Sequence, residues 1–170
     1  MRVKEIMTNE AVTCTPEASL ANVAQFMWEQ DCGALPVVED GKGVVGMITD
    51  RDICMAAAMS FRPAFEIPVR EVITGEVYSC SPETEVTDAL KLMREKRVRR
   101  LPVVDAEGML QGILSMNDVV LEAKEAKGKK ETTAPTFTEV IETYKALCTH
   151  RTLPQVQTEP PAPQVKTTTA

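Results

Sequence analysis

Two hydroxyl–carboxylate pairs, Thr49 with Asp52 and Ser115 with Asp118, carry the chemistry that this sequence offers most plainly. Each lies where an apolar β-branched run gives way to a helical pattern, in Gly46-Met47-Ile48-Thr49-Asp50-Arg51-Asp52 and Gly112-Ile113-Leu114-Ser115-Met116-Asn117-Asp118. Such a junction presents free backbone N–H groups and the positive end of a helix dipole, which favour an anion such as phosphate. The hydroxyl can add a donor. The carboxylate one turn on has two acceptor oxygens, suited to a pair of vicinal hydroxyls such as those of a ribose. The same spacing also makes a capping box, a device of helix stability alone. The two uses are compatible, because a cap residue keeps spare acceptors. Gly46 and Gly112 would let a ligand or another strand approach the backbone closely.

The elements that must position these pairs come in duplicate. Displaced by 66 residues, the chain matches itself without a gap from Val3–Met55 onto Val69–Leu121, with Pro16 on Pro82, Leu35-Pro36-Val37-Val38 on Leu101-Pro102-Val103-Val104, and Asp52 on Asp118. Ala11-Val12-Thr13 reads as a short strand. Ser19 then caps a helix carrying Leu20, Val23, Ala24 and Met27 at helical spacing. Two apolar runs around Asp40-Gly41-Lys42-Gly43 read as a hairpin, and a second helix spans about 50–59. The unit is β-α-β-β-α, twice, an α+β fold with the halves packed about a pseudo-twofold axis. Each repeat of about 55 residues is marginal alone, so a shared core is expected.

The expected boundaries are 1–62 for the first domain, 63–125 for the second and 126–170 for a tail. Phe61–Pro68 is a connector with two prolines lying against the domains, and 124–131 is a charged, helix-compatible stretch. Within the tail, Thr136-Phe137-Thr138-Glu139 has capping-box spacing and opens a stripe of Phe137, Val140, Ile141, Tyr144, Leu147 and Cys148 near 136–149. This amphipathic helix needs a partner surface, either on its own or a sister domain or on an external protein. From Pro154 onward the proline, threonine and glutamine content predicts disorder.

Composition excludes several classes. Up to Leu121 there are 12 basic and 19 acidic residues, a net −7, and the remainder holds seven and six, a net +1. That balance opposes nucleic acid as the main partner. No apolar run is long enough to span a membrane, and no apolar segment of a secretory signal follows Met1–Glu5. Five unclustered cysteines and one histidine give no metal-site pattern and read as reduced thiols of a cytoplasmic protein. No nucleophile–base pair is present, and the repeat assigns Asp52 and Asp118 to separate clefts, so no enzyme is expected.

Met7-Thr8, Pro16, Leu35-Pro36-Val37-Val38 and Gly46–Ile53, together with Val98–Asp105 in the second copy, resemble the cystathionine β-synthase-type (CBS) domain. The resemblance spans about 3–121 and is to the small stand-alone bacterial members, tandem pairs called Bateman modules. It implies two clefts between the domains for adenosine-containing ligands (AMP, ADP, ATP or S-adenosylmethionine), with no required cofactor. By that analogy Asp52 and Asp118 hold ribose hydroxyls and Thr49 and Ser115 lie at phosphate. The backbone of Ala11-Val12-Thr13 and Val77-Tyr78-Ser79 lines the adenine slots, and Met47-Ile48 and Ile113-Leu114 give apolar walls. The resemblance also implies a disc-like homodimer.

Arg97, Arg99 and Arg100 replace Asp31, Gly33 and Ala34 of the first repeat. Pairing about a pseudo-twofold predicts that they face the Thr49/Asp52 cleft, leaving the Ser115/Asp118 cleft with Asp31 and no cation. The Thr49/Asp52 site should then be the stronger for charged nucleotides. The alternative is a solvated patch completing the helix dipole. Three functions compete: a ligand-sensing regulatory module, an enzyme, and a ligand-free dimerisation or interaction scaffold.

Overall fold

The computed structural model describes residues 1–73, 75–125 and 133–149. The first repeat contains α1 (Leu20–Glu29), β1 (Ala34–Glu39), β2 (Gly43–Thr49) and α2 (Asp50–Met59). The second contains α3 (Val86–Lys96), β3 (Arg100–Val104), β4 (Leu110–Ser115) and α4 (Met116–Glu122), and α5 (Phe137–Cys148) follows. Ser19 caps α1 by accepting from the Asn22 N–H at 3.2 Å. Leu20, Val23 and Met27 form its buried stripe, and Val86, Ala89, Leu90 and Met93 form that of α3. Both helices end in a left-handed residue, Asp31 (φ 47°) and Arg97 (φ 54°), which turns the chain into the next strand.

Each strand pair is an antiparallel hairpin with one irregularity of register, between Val37 and Val38 and between Val103 and Val104. The first strand of each expected unit is shorter than the sequence suggests. Only Cys14 and Cys80 pair, in parallel with Val37 and Val103. The Cys14 N–H donates to the Pro36 carbonyl at 3.1 Å and its carbonyl accepts from Val38 at 2.9 Å. Pro16, two residues on, has no N–H to give and ends the ladder.

The halves share their cores by exchange: there are two clusters, each completed by the other repeat's leading segment. Val3 is fully buried among Leu90, Met93, Leu101 and Leu114 of the second repeat. Ile67 and Val69 are buried among Leu20, Val23, Leu35 and Ile48 of the first. Backbone bonds fix the exchange: Val3 N–H to Thr84 carbonyl at 2.9 Å, Leu20 N–H to Ile67 carbonyl at 2.9 Å. Val3 and Val69 are repeat counterparts, so the exchange is itself pseudo-symmetric.

Helix α5 docks on α3 and α4. Val140 and Thr143 are buried, Tyr144 and Leu147 pack on the second core, and Arg94 pairs with Glu142 at 3.5 Å. The expected stripe divides, because Phe137 and Ile141 remain 54 % exposed and Cys148 is exposed too. The tail from Pro154 and most of the 124–131 stretch lie outside the described residues.

Candidate functional site

The two predicted pairs sit at the β2–α2 and β4–α4 junctions, and each makes a complete capping box. Asp52 Oδ2 accepts from the Thr49 N–H at 2.9 Å and the Thr49 hydroxyl at 2.6 Å. Asp118 Oδ2 accepts from the Ser115 N–H and hydroxyl, both at 2.7 Å. The hydroxyls in turn accept from the Asp52 N–H at 3.2 Å and the Asp118 N–H at 3.3 Å. Both bonds on each carboxylate converge on Oδ2, so Oδ1 stays uncommitted among the described residues. All four side chains are half-buried.

Ser115 and Asp118 open onto a cavity of about 390 Å³ built by both repeats. The second repeat contributes Arg100, Ile113, Ser115, Asn117 and Asp118. The first contributes Thr8, Glu10, Ala11 and Val12 on one side and the 30–36 segment, with Asp31 and Cys32, on the other. The leading segment is brought there by Thr8, whose N–H donates to the Ile113 carbonyl at 3.0 Å while its own carbonyl accepts from the Ile113 N–H at 2.9 Å. Gly112 makes this crossing feasible, since a β-carbon there would stand 2.5 Å from the Thr8 carbonyl oxygen. At Gly112 the close neighbour is thus the backbone of another segment. At Gly46 the counterpart contact is the Ile73 side chain, 2.7 Å from a β-carbon. Thr74, the counterpart of Thr8, lies outside the described residues.

For Arg100 the structure differs from the expectation of a Ser115/Asp118 cleft without a cation. Arg100 lines the cavity of Ser115 and Asp118, together with Asp31, while its guanidinium also lies beside Gly33, close to Asp50 at the start of α2. The hairpin register is the reason: Arg100 opens β3 directly opposite Ser115, the last residue of β4. A β-carbon on Gly33 would stand 3.6 Å from an Arg100 guanidinium nitrogen and 3.0 Å from the Asp50 carboxylate, so the absent side chain leaves the cation its room. Arg99 is exposed and does not line the cavity.

Of the remaining expected site residues, Val12 and Ile113 line this cavity, whereas Thr13 is exposed and outside it. Ile48 and Leu114 are fully buried core residues and not cleft walls. Strand alternation turns them away from Met47 and Ile113, their half-buried neighbours. Tyr78 is half-buried with the Lys96 ammonium 4.7 Å from its ring centroid. Asp31 lines the Ser115/Asp118 cavity as expected, whereas sequence reasoning missed Thr8, Glu10, Asn117 and the other residues of the 30–36 segment as walls; the signal available was Gly112, whose bare backbone admits Thr8.

Electrostatically the cavity holds one guanidinium, Arg100, and three carboxylates, Glu10, Asp31 and Asp118. Burial pushes the Cys14 and Cys80 thiols up to about 11, so both remain protonated and act as small apolar groups behind β1 and β3. No group of three or more metal-ligand side chains occurs among the described residues. None of the described helices is long and apolar enough to cross a membrane.

A profile of the CBS domain matches residues 3–58 and 69–125. The chain belongs to the CBS domain family, as a tandem pair. It is 36 % identical over 119 residues to the CBS domain-containing protein YhcV of Bacillus subtilis, covering 70 % of this chain and 83 % of that one. It is 34 % identical over 117 residues to Hypoxic response protein 1 of Mycobacterium tuberculosis, covering 68 % and 80 %. Among solved structures it resembles CBSX2 in complex with AMP, with a TM-score of 0.61 at 29 % identity over 71 % of this chain and 93 % of that one.

Proposed function

We propose that this protein is a non-catalytic regulatory module that binds an adenosine-containing ligand in the Ser115/Asp118 cavity and signals through the packing of its two repeats. One observation carries the reading. A cavity of about 390 Å³ joins the β4–α4 junction of one repeat to the leading segment of the other, so an occupant touches both. Asp118 Oδ1 is the acceptor for ribose hydroxyls, and the α4 N-terminus, the Ser115 hydroxyl and Arg100 receive the phosphate. Val12 and Ile113 flank the base. CBSX2, 29 % identical, was solved with AMP and supports the ligand class. Thr49 and Asp52 form a second, pseudo-symmetric position. Two copies associate, and the protein acts in the cytoplasm on a partner or sister subunit. An interaction scaffold without ligand is the competing reading, favoured by capping boxes that are already complete within the chain.

Thermal melts with AMP, ATP and S-adenosylmethionine decide between the two. Ligand at 100 times its Kd adds about 2.7 kcal/mol to stability. A rise in melting temperature with at least one of these compounds is the expected outcome, and no shift with any of them selects the scaffold.

A further inference from the structure

The charges of the Ser115/Asp118 cavity are arranged in depth. Its single cation, Arg100, is half-buried where β3 begins. Glu10 and Asp31 are exposed and come from opposite walls, the leading segment and the 30–36 segment. The two carboxylates therefore flank the opening, and the guanidinium lies behind them. Arg100 has little charge to spare. One of its guanidinium nitrogens and the Asp50 carboxylate both approach the bare backbone of Gly33, 3.6 and 3.0 Å from where a β-carbon would stand.

The internal repeat shows that these walls need not lack cations. Displaced by 66 residues, Asp31 falls on Arg97, and Asn117, another wall residue, falls on Arg51. Asp31 and Arg97 hold the same left-handed backbone after α1 and α3, with φ 47° and 54°. The fold accepts an arginine at both positions, and this cavity has one at neither.

Adenosine ligands share a ribose and a base and differ in the group beyond them. With the ribose on Asp118, a first phosphate meets Arg100. A second and a third must continue from Arg100 toward the opening, between Glu10 and Asp31. Each then adds negative charge where two carboxylates already stand, and like charges set together oppose binding. We infer that Glu10 and Asp31 impose a charge limit on the ligand: the cavity takes an adenosine compound with one phosphate and turns away the triphosphate. This rests on the adenosine reading proposed above and names the member of that class.

Calorimetric titration of the full chain with adenosine, AMP and ATP, in EDTA and about 50 mM NaCl, tests it. Asp52→Ala is present throughout, so that the second position lacks its ribose acceptor. AMP should bind at least about tenfold tighter than ATP. Asp31→Arg, the side chain of the equivalent turn, should cut that ratio about tenfold by strengthening ATP binding. Asp31→Asn and Glu10→Gln should each cut it by a smaller factor. Adenosine affinity should stay within about twofold in all three, because adenosine carries no charge; a structural disturbance would move the three ligands together. Salt at about 500 mM should narrow the ratio, since exposed carboxylates are screened. Melting temperatures establish that the variants fold. The salt series is repeated on the unsubstituted chain, reading the binding event that Asp118→Ala removes. ATP binding as tightly as AMP, or a ratio indifferent to Asp31→Arg, overturns the charge limit alone. No binding of adenosine, AMP or ATP overturns the limit and the adenosine reading together.

Discussion

At the scale of single residues, the position of Arg100 decides which junction meets an anionic ligand. It shares the cavity of Ser115 and Asp118, where a charge-assisted bond to phosphate contributes about 1.5–3 kcal/mol. Arg100→Ala should therefore weaken AMP binding by roughly ten- to a hundredfold in calorimetric titration while leaving adenosine affinity nearly unchanged. Asp118→Ala should weaken both, and by more than Asp52→Ala does. Equal losses from the two aspartate variants would show that the lone guanidinium does not distinguish the sites. Both capping boxes were legible in the sequence, because Thr49-x-x-Asp52 and Ser115-x-x-Asp118 are purely local patterns. That Arg100 lines the Ser115/Asp118 cavity was not read, since it follows from strand register and not from pseudo-symmetry.

At the scale of elements, periodicity specified the helices and hairpins well. Leu20, Val23 and Met27 fall on one buried face as their spacing requires, and the turn from Asp40 to Gly43 joins two strands that pair as expected. Two left-handed glycines, Gly41 (φ 74°) and Gly43 (φ 73°), make that turn. The short first strands were less legible, because a run as short as Ala11-Val12-Thr13 looks the same in sequence whether it pairs along its length or its neighbour pairs at one residue. The amphipathic character of α5 was clear, but periodicity alone could not divide its stripe into a buried and an exposed row. That division depends on where α3 lies. Val140→Asp puts an unpaired carboxylate against Leu90 and Met93 and should lower stability by about 3 kcal/mol or more. Ile141→Asp, on the exposed row, should change monomer stability by less than about 0.5 kcal/mol. Chemical denaturation of the two variants makes the comparison.

At the scale of the molecule, the exchange of leading segments was hidden by the repeat itself. Val3 and Val69 are equivalent in both halves, so folding back on one's own repeat and crossing to the other bury the same side-chain pattern. Only three-dimensional connectivity distinguishes them. The exchange makes a prediction that runs against chain order. Val3→Ala should cost about 2 kcal/mol and raise amide hydrogen exchange in α3, β3 and α4, more than 80 residues away, before it does so in α1. Val69→Ala should do the reverse, loosening α1, β1 and β2. Loss of protection confined to each valine's own sequence repeat would contradict the crossed packing.

The same crossing bears on how the protein emerges from a ribosome. The first hydrophobic cluster has no Ile67 or Val69 until the connector has been made, so the leading half cannot consolidate when its own 62 residues appear. Val3, made before its partners, has no seat until Thr84 and the strands beyond it are translated. The two halves must therefore mature nearly together, late in synthesis. Their cooperativity is set by the order of threading before any small molecule arrives.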